Sequence, residues 1–177
     1  MSDRGEEIAQ SARMLTILAL CHSYEICDDD FMLAHFEHAK GLAGWLIGRR
    51  SLSLGYSRDD ARYGMLPGDD EADNYNRLYY HQMVPLHFFS SNAESYRAFA
   101  EMGAVWSKIG KAAGRDDVTA HAAVLLQTAP LLYRDLHANQ IEQVCLRNAE
   151  HGVIRANLDF CARSQLEWPR YCDRNVF

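Results

Sequence analysis

Apolar residues recur at three- and four-residue steps in four windows of this chain, and nowhere does a convincing run alternate with the period of two that a strand requires. That pattern predicts an all-α fold. The first window, Glu6 to about Tyr24, places Ile8, Ala12, Leu15, Leu18 and Ala19 on one face. The second, about Phe31 to Arg49, carries Leu33, Phe36, Leu42, Trp45 and Leu46. It follows Asp28, Asp29 and Asp30, whose side chains suit an N-cap and whose charge suits the positive end of a helix dipole. A solvated cap outweighs a calcium site as the reading of these aspartates.

The third window opens at the capping box Ser91-Asn92-Ala93-Glu94, or at Phe88 through an irregular first turn. It continues through Tyr96, Phe99, Met102, Trp106 and Ile109 to Ala113, where Gly114 is the expected stop. Asp116 or Asp117 should cap the fourth. Its apolar positions include Ala122, Leu125, Ala129, Leu132 and Leu136, and the pattern allows continuation to Val144. Pro130 lies inside it and predicts a kink, because proline removes one backbone bond and clashes with the preceding turn. The link Gly114-Arg115-Asp116 is short enough to make these two helices an antiparallel hairpin.

Gly41, Gly44 and Gly48 recur along the second helix. Glycine weakens a helix, so this spacing suggests another backbone packed closely there. His35 and His38, lacking a third partner, are read as surface or core residues. Leu78 to Leu86 reads as extended because Pro85 opposes a helix. Residues 149–160 fit a strand pair or a short helix, and Trp168 to Tyr171 reads as irregular. No linker or low-complexity segment interrupts residues 1–177, so one domain is expected.

The chain has 177 residues, 48% hydrophobic, with a formal net charge of -6. This balance offers no electrostatic footprint for nucleic acid or an anionic membrane. The apolar run Met14 to Cys21 is too short to span a bilayer, and Glu6 and Glu7 precede it in place of a basic segment. Five cysteines without a close CxxC pair favour reduced thiols and a cytoplasmic setting, with no zinc spacing. No G-x-S-x-G, P-loop, dinucleotide or H-E-x-x-H signature occurs, and no cofactor is expected.

The longest aperiodic stretch, Tyr56 to Tyr80, lies between helical windows and is dense in Asp, Arg and Tyr. Its aromatic and Gly-Pro content predicts an ordered, functional loop. Here the chain resembles the six-hairpin glycosidases. Tyr63-Gly64-Met65-Leu66-Pro67-Gly68 with its acidic cluster is similar to their Gly-Leu-Pro-Gly loop. Phe88-Phe89-Ser90-Ser91-Asn92 through Tyr96 resembles their inner helix, and Leu131 to Leu136 their outer one. The resemblance implies antiparallel helical hairpins forming part of an (α/α)6 toroid, with the loop over 51–80 at its mouth. It also implies a carbohydrate substrate.

Glycoside hydrolysis needs one protonated and one ionised carboxyl group flanking the bond. Asp70 and Glu71 are the candidate catalytic carboxyls, and clustering raises the pKa of one of them. The bland alternative makes Gly68-Asp69-Asp70 a turn and Asp73 or Asn74 an N-cap. Arg62, Tyr63, Asp73, Tyr79, Tyr80, His81 and Asn92 are the candidate substrate contacts, the tyrosines because sugar rings stack on aromatic faces. Arg62 is better read as pairing with Asp59 or Asp60, and Asp135 as pairing with an arginine across helices. The chain offers too few helices for a full toroid. Exposed apolar faces should therefore drive homo-oligomerisation or recruit a partner chain. The rival reading is a non-catalytic helical module that binds a sugar or a protein.

Overall fold

The computed structural model describes residues 6–60, 62–66 and 89–138. The expectations for Leu78 to Leu86, for 149–160, for the C-terminal Trp168 to Tyr171 and for helix beyond 138 lie outside the described residues. Among those described there are five helices and no strand: α1 Glu6–Ser23, α2 Asp29–Ala34, α3 Phe36–Ser53, α4 Phe89–Ala113 and α5 Asp116–Leu136. The chain is all-α, as its periodicity predicts. None of these helices is long and apolar enough to cross a membrane.

The four longer helices close on one another. The α4–α5 hairpin is the most extensive contact, α1 lies against α4, α3 against α1, and α3 returns to α5. Hairpin packing is thus present, while the described residues form a four-helix cluster and show no toroid. Its core is a single continuous cluster. Ile8, Ala12, Leu15 and Ala19 come from α1, Phe36, Ala39, Ala43 and Leu46 from α3, Phe99, Met102, Trp106 and Ile109 from α4, and Val118, Leu125 and Leu132 from α5. Phe36 sits at its centre, edge-on to Trp106 at 5.1 Å and to His121 at 5.6 Å between ring centroids.

Four local expectations need correction. The second helical window is two helices, because the chain turns at His35, with φ -104 and ψ 6. There the His35 backbone N–H reaches both Phe31 O and Met32 O, and its Nδ1 donates to Phe31 O at 2.9 Å. A side chain competing for a helical carbonyl is a local alternative to regular helix. Of the two starts expected for this helix, the one near Phe88 is nearer the observed Phe89; Ser91 lies inside α4, so the capping box does not cap. Instead Ser95 Oγ donates to Ser91 O at 2.7 Å, and Glu94 takes Arg13 of α1 at 2.9 Å. The N-cap of α5 is Arg115, with Asp116 and Asp117 in the first turn.

The glycines are the fourth correction. A Cβ placed at Gly41, Gly44 or Gly48 would meet nothing within 4 Å. Close approach occurs instead in the α4–α5 hairpin. At Gly103 a Cβ would come within 2.9 Å of Leu126 Cγ, and at Gly110 within 2.8 Å of the Thr119 backbone N. Gly114 does end α4 as expected. It adopts φ 63, with Arg115 N bonded to Gly110 O at 2.8 Å and Gly114 N to Lys111 O, the paired bonds of a Schellman turn. The helix α5 runs on through Pro130.

Candidate functional site

The described part of the loop, Tyr56 to Leu66, is a chain of tight turns closed by Asp60 N to Ser57 O, Tyr63 N to Asp60 O and Met65 N to Arg62 O. Asp60 organises it. One carboxylate oxygen accepts from Arg62 N and Nε, both at 2.9 Å, and the other from Arg62 NH2 at 2.7 Å. The Arg62 guanidinium also covers the Tyr56 ring at 4.3 Å. Arg62 therefore makes the intramolecular pair expected of it. Tyr63, beside it and half-buried, faces Arg58 at 5.7 Å.

Three attachments seat this loop on the helices. Met65 and Leu66 are fully buried. Gly64, at φ 70, rests on Asp135, where a Cβ would lie 2.8 Å from Asp135 Cγ. Asn92 of α4 is fully buried, with Oδ1 accepting from Leu66 N at 2.7 Å and Nδ2 donating to Leu66 O at 3.1 Å. Asn92 is thus turned toward the loop backbone, as an anchor of the loop.

Asp135 of α5 is buried between two guanidinium groups. Arg50 of α3 meets Oδ2, and Arg134 meets Oδ1 at 2.7 Å. This is the interhelix pairing expected for Asp135. The Arg134 guanidinium is held charged above its usual range, first by its hydrogen bond to Asp135 and then by that carboxylate's charge. Of the predicted site residues, the structure brings Arg62 and Tyr63 together on one turn and places Asn92 beneath it. Asp70, Glu71, Asp73, Tyr79, Tyr80 and His81 lie outside the described residues.

A second region was not singled out by the sequence reading. Beside its buried stripe, α1 carries Met14, Ile17, Leu18 and Cys21 at steps of three, one and three. Met14 is 61% and Ile17 55% exposed. Past the end of α1 the chain reverses at Glu25, with φ 58, through Ile26 N to Cys21 O at 2.8 Å and Glu25 N to His22 O at 3.0 Å. Asp28 then caps α2 by accepting from Phe31 N at 2.8 Å. The turn brings Ile26, 75% exposed, and Phe31 to face the α1 stripe.

The result is an apolar groove of about 480 Å³ lined by Met14, Ile17, Leu18, Cys21, Ile26 and Phe31, with Cys27 and Asp28 at its end. It adjoins a polar pocket of about 570 Å³ whose lining includes Glu25, Asp28, Asp29 and Asp30, together with Lys108 of α4. In that pocket the buried His22 Nε2 meets Asp29 Oδ1 at 2.6 Å. Burial, then Cys21 and Asp28, push the Cys27 thiol up. No group of three His, Cys, Asp or Glu side chains among the described residues is arranged to hold a metal ion.

The signal for this groove was in the sequence. The α1 window has more apolar residues than one face can bury, and the surplus falls at helical spacing. Compared with models of protein families, with curated proteins and with solved structures, the chain matches none.

Proposed function

We propose that this chain is a non-catalytic helical binding module whose α1–α2 groove receives an amphipathic helix, rich in basic residues, from a partner protein. The observation that carries this reading is the second apolar stripe of α1, facing Ile26 and Phe31 across the groove. Exposed apolar surface rimmed by polar groups marks interaction sites, and a groove of this kind suits side chains at helical spacing. Each large apolar side chain buried there contributes about 1.5–3 kcal/mol.

The rim selects the partner's charge. Glu25, Asp28, Asp29 and Asp30 border one end, and the whole chain carries -6. Two copies meeting through this face would bring like charges together, whereas a basic helix complements them. The glycosidase reading puts its catalytic carboxyls at Asp70 and Glu71, which lie outside the described residues. Asp60 and Arg62 hold the loop to itself, and Asn92 of α4 holds it to that helix.

Two synthetic peptides test the reading, one a helical pattern of leucine and lysine, the other the same leucine face with glutamate. The lysine peptide should bind and the glutamate peptide should not, with the unliganded chain monomeric by light scattering. Equal binding of both peptides, or a dimer dispersed by Ile17→Glu, would replace the basic helix with another occupant.

A further inference from the structure

The methionines among the described residues divide sharply by exposure. Met32, Met65 and Met102 are fully buried, whereas Met14 is 61% exposed. Met14 is also the methionine that lines the α1–α2 groove, one helical turn before Ile17 and Leu18. A thioether is apolar and flexible, so it packs well against varied partner side chains. It is also open to oxidation where a reagent can reach it. The side chains that share the groove with Met14 offer a new oxygen acceptor no strong donor. They are aliphatic or aromatic apart from two thiols, which donate weakly, and the Asp28 carboxylate, which only accepts.

We infer that Met14 is a redox switch in the docking groove: oxidation of its thioether to the sulfoxide by a peroxide blocks docking of the partner helix, and a methionine sulfoxide reductase restores it. The switch rests on the reading of this groove as a docking surface. In the forward step the sulfur lone pair attacks one peroxide oxygen. An S–O bond forms, the O–O bond breaks, and the other oxygen leaves as water. The sulfur gives up two electrons and the peroxide takes them. In the reverse step a dithiol becomes a disulfide, and the sulfoxide oxygen leaves as water. The sulfoxide is polar and chiral where the thioether was apolar. A docked helix would press its apolar face onto that oxygen and exclude water, leaving a polar group without a partner. The groove thiol Cys27 responds differently. Peroxide attacks the thiolate, and burial pushes the Cys27 thiol up, so little thiolate forms near neutral pH. A thioether needs no deprotonation. A docked helix also covers Met14, so occupancy and oxidation oppose each other.

The experiment measures binding of the leucine–lysine peptide to the full chain before and after hydrogen peroxide, with peptide mapping by mass spectrometry. Met14 should oxidise before Met32, Met65 and Met102, and more slowly when the peptide is bound. Affinity should then fall about tenfold, with an unchanged circular dichroism spectrum, and return after treatment with the reductase and dithiothreitol. Met14→Leu keeps every cysteine and every other methionine, so it separates Met14 from the remaining sulfurs. Compared with its own untreated affinity, it should lose nothing to peroxide. Binding that survives complete oxidation of Met14, or an equal loss in Met14→Leu, would overturn the switch and leave the docking reading in place. Absence of binding by the untreated chain would overturn the docking reading, and the switch with it.

Discussion

Asn92 of α4 grips the backbone of Leu66 by both ends of its side-chain amide, and both residues are fully buried. A polar pair of this kind stabilises modestly when complete and costs much more when half is removed. Asn92→Ala should therefore lose about 2–4 kcal/mol, because it leaves a buried N–H and a buried C=O unsatisfied. Urea unfolding measures the loss, and amide exchange at Leu66 should accelerate with it. A substitution that changed neither would show that the loop is held without Asn92.

Gly64 makes a second prediction. Its φ of 70 disfavours any side chain, and a Cβ would push against the Asp135 carboxylate that Arg50 and Arg134 hold. Gly64→Ala should cost about 2 kcal/mol or more, since backbone strain and displacement of a buried ion pair act together. Gly41→Ala should instead stabilise α3, by up to about 1 kcal/mol, because the added methyl meets open space and improves helix propensity. Thermal melts of the two variants should shift in opposite directions.

These glycines show what the sequence revealed and what it hid. Helical periodicity reports which residues repeat on a face, and it predicted the windows that became α1, α3, α4 and α5. It cannot report whether a small residue faces a neighbour or solvent, so Gly41, Gly44 and Gly48 attracted a packing role that belongs to Gly103 and Gly110. The break at His35 has no proline or glycine to announce it. Asn92, beside aromatic residues, invited a reading as a ligand contact, and only its burial against Leu66 shows the anchor. The α1 groove was hidden by the success of the core stripe, since Met14 and Ile17 were not needed to explain the helix.

Glu25 occupies the left-handed region, at φ 58, in the turn that ends α1. An L side chain there costs about 1–2 kcal/mol, partly offset in a glycine variant by greater freedom of the unfolded chain. Glu25→Gly should raise stability by about 0.5–1 kcal/mol, seen as a higher denaturation midpoint. A fall in the midpoint would mean that Glu25 makes contacts that outweigh its strain.

Acidification should act through two groups. Burial, with help from Lys40, lowers the His121 pKa below its ordinary 6.5. The folded chain then binds fewer protons than the unfolded one, so the contribution of neutral His121 is present above pH 6.5 and is lost as pH falls toward its folded value. Asp117 is held at about 2 against an ordinary 3.8, chiefly by its hydrogen bond from Arg115. Its contribution is present above pH 3.8 and is lost as pH falls toward 2. Urea midpoints against pH should show the upper loss removed by His121→Phe and the lower one reduced by Asp117→Asn. An unchanged profile in the His121→Phe variant would assign the upper loss to other histidines.

The central claim is that the exposed α1 stripe is a docking surface, and fluorescence anisotropy of a labelled leucine–lysine peptide tests it most directly. Ile17→Glu places a charge in the middle of the stripe, and Val124→Glu places the same charge on an exposed apolar position of α5, 46% exposed and outside the groove lining. The account predicts at least tenfold weaker binding for Ile17→Glu, equivalent to about 1.4 kcal/mol, and unchanged binding for Val124→Glu. Equal affinity of the Ile17→Glu and unaltered chains would contradict it.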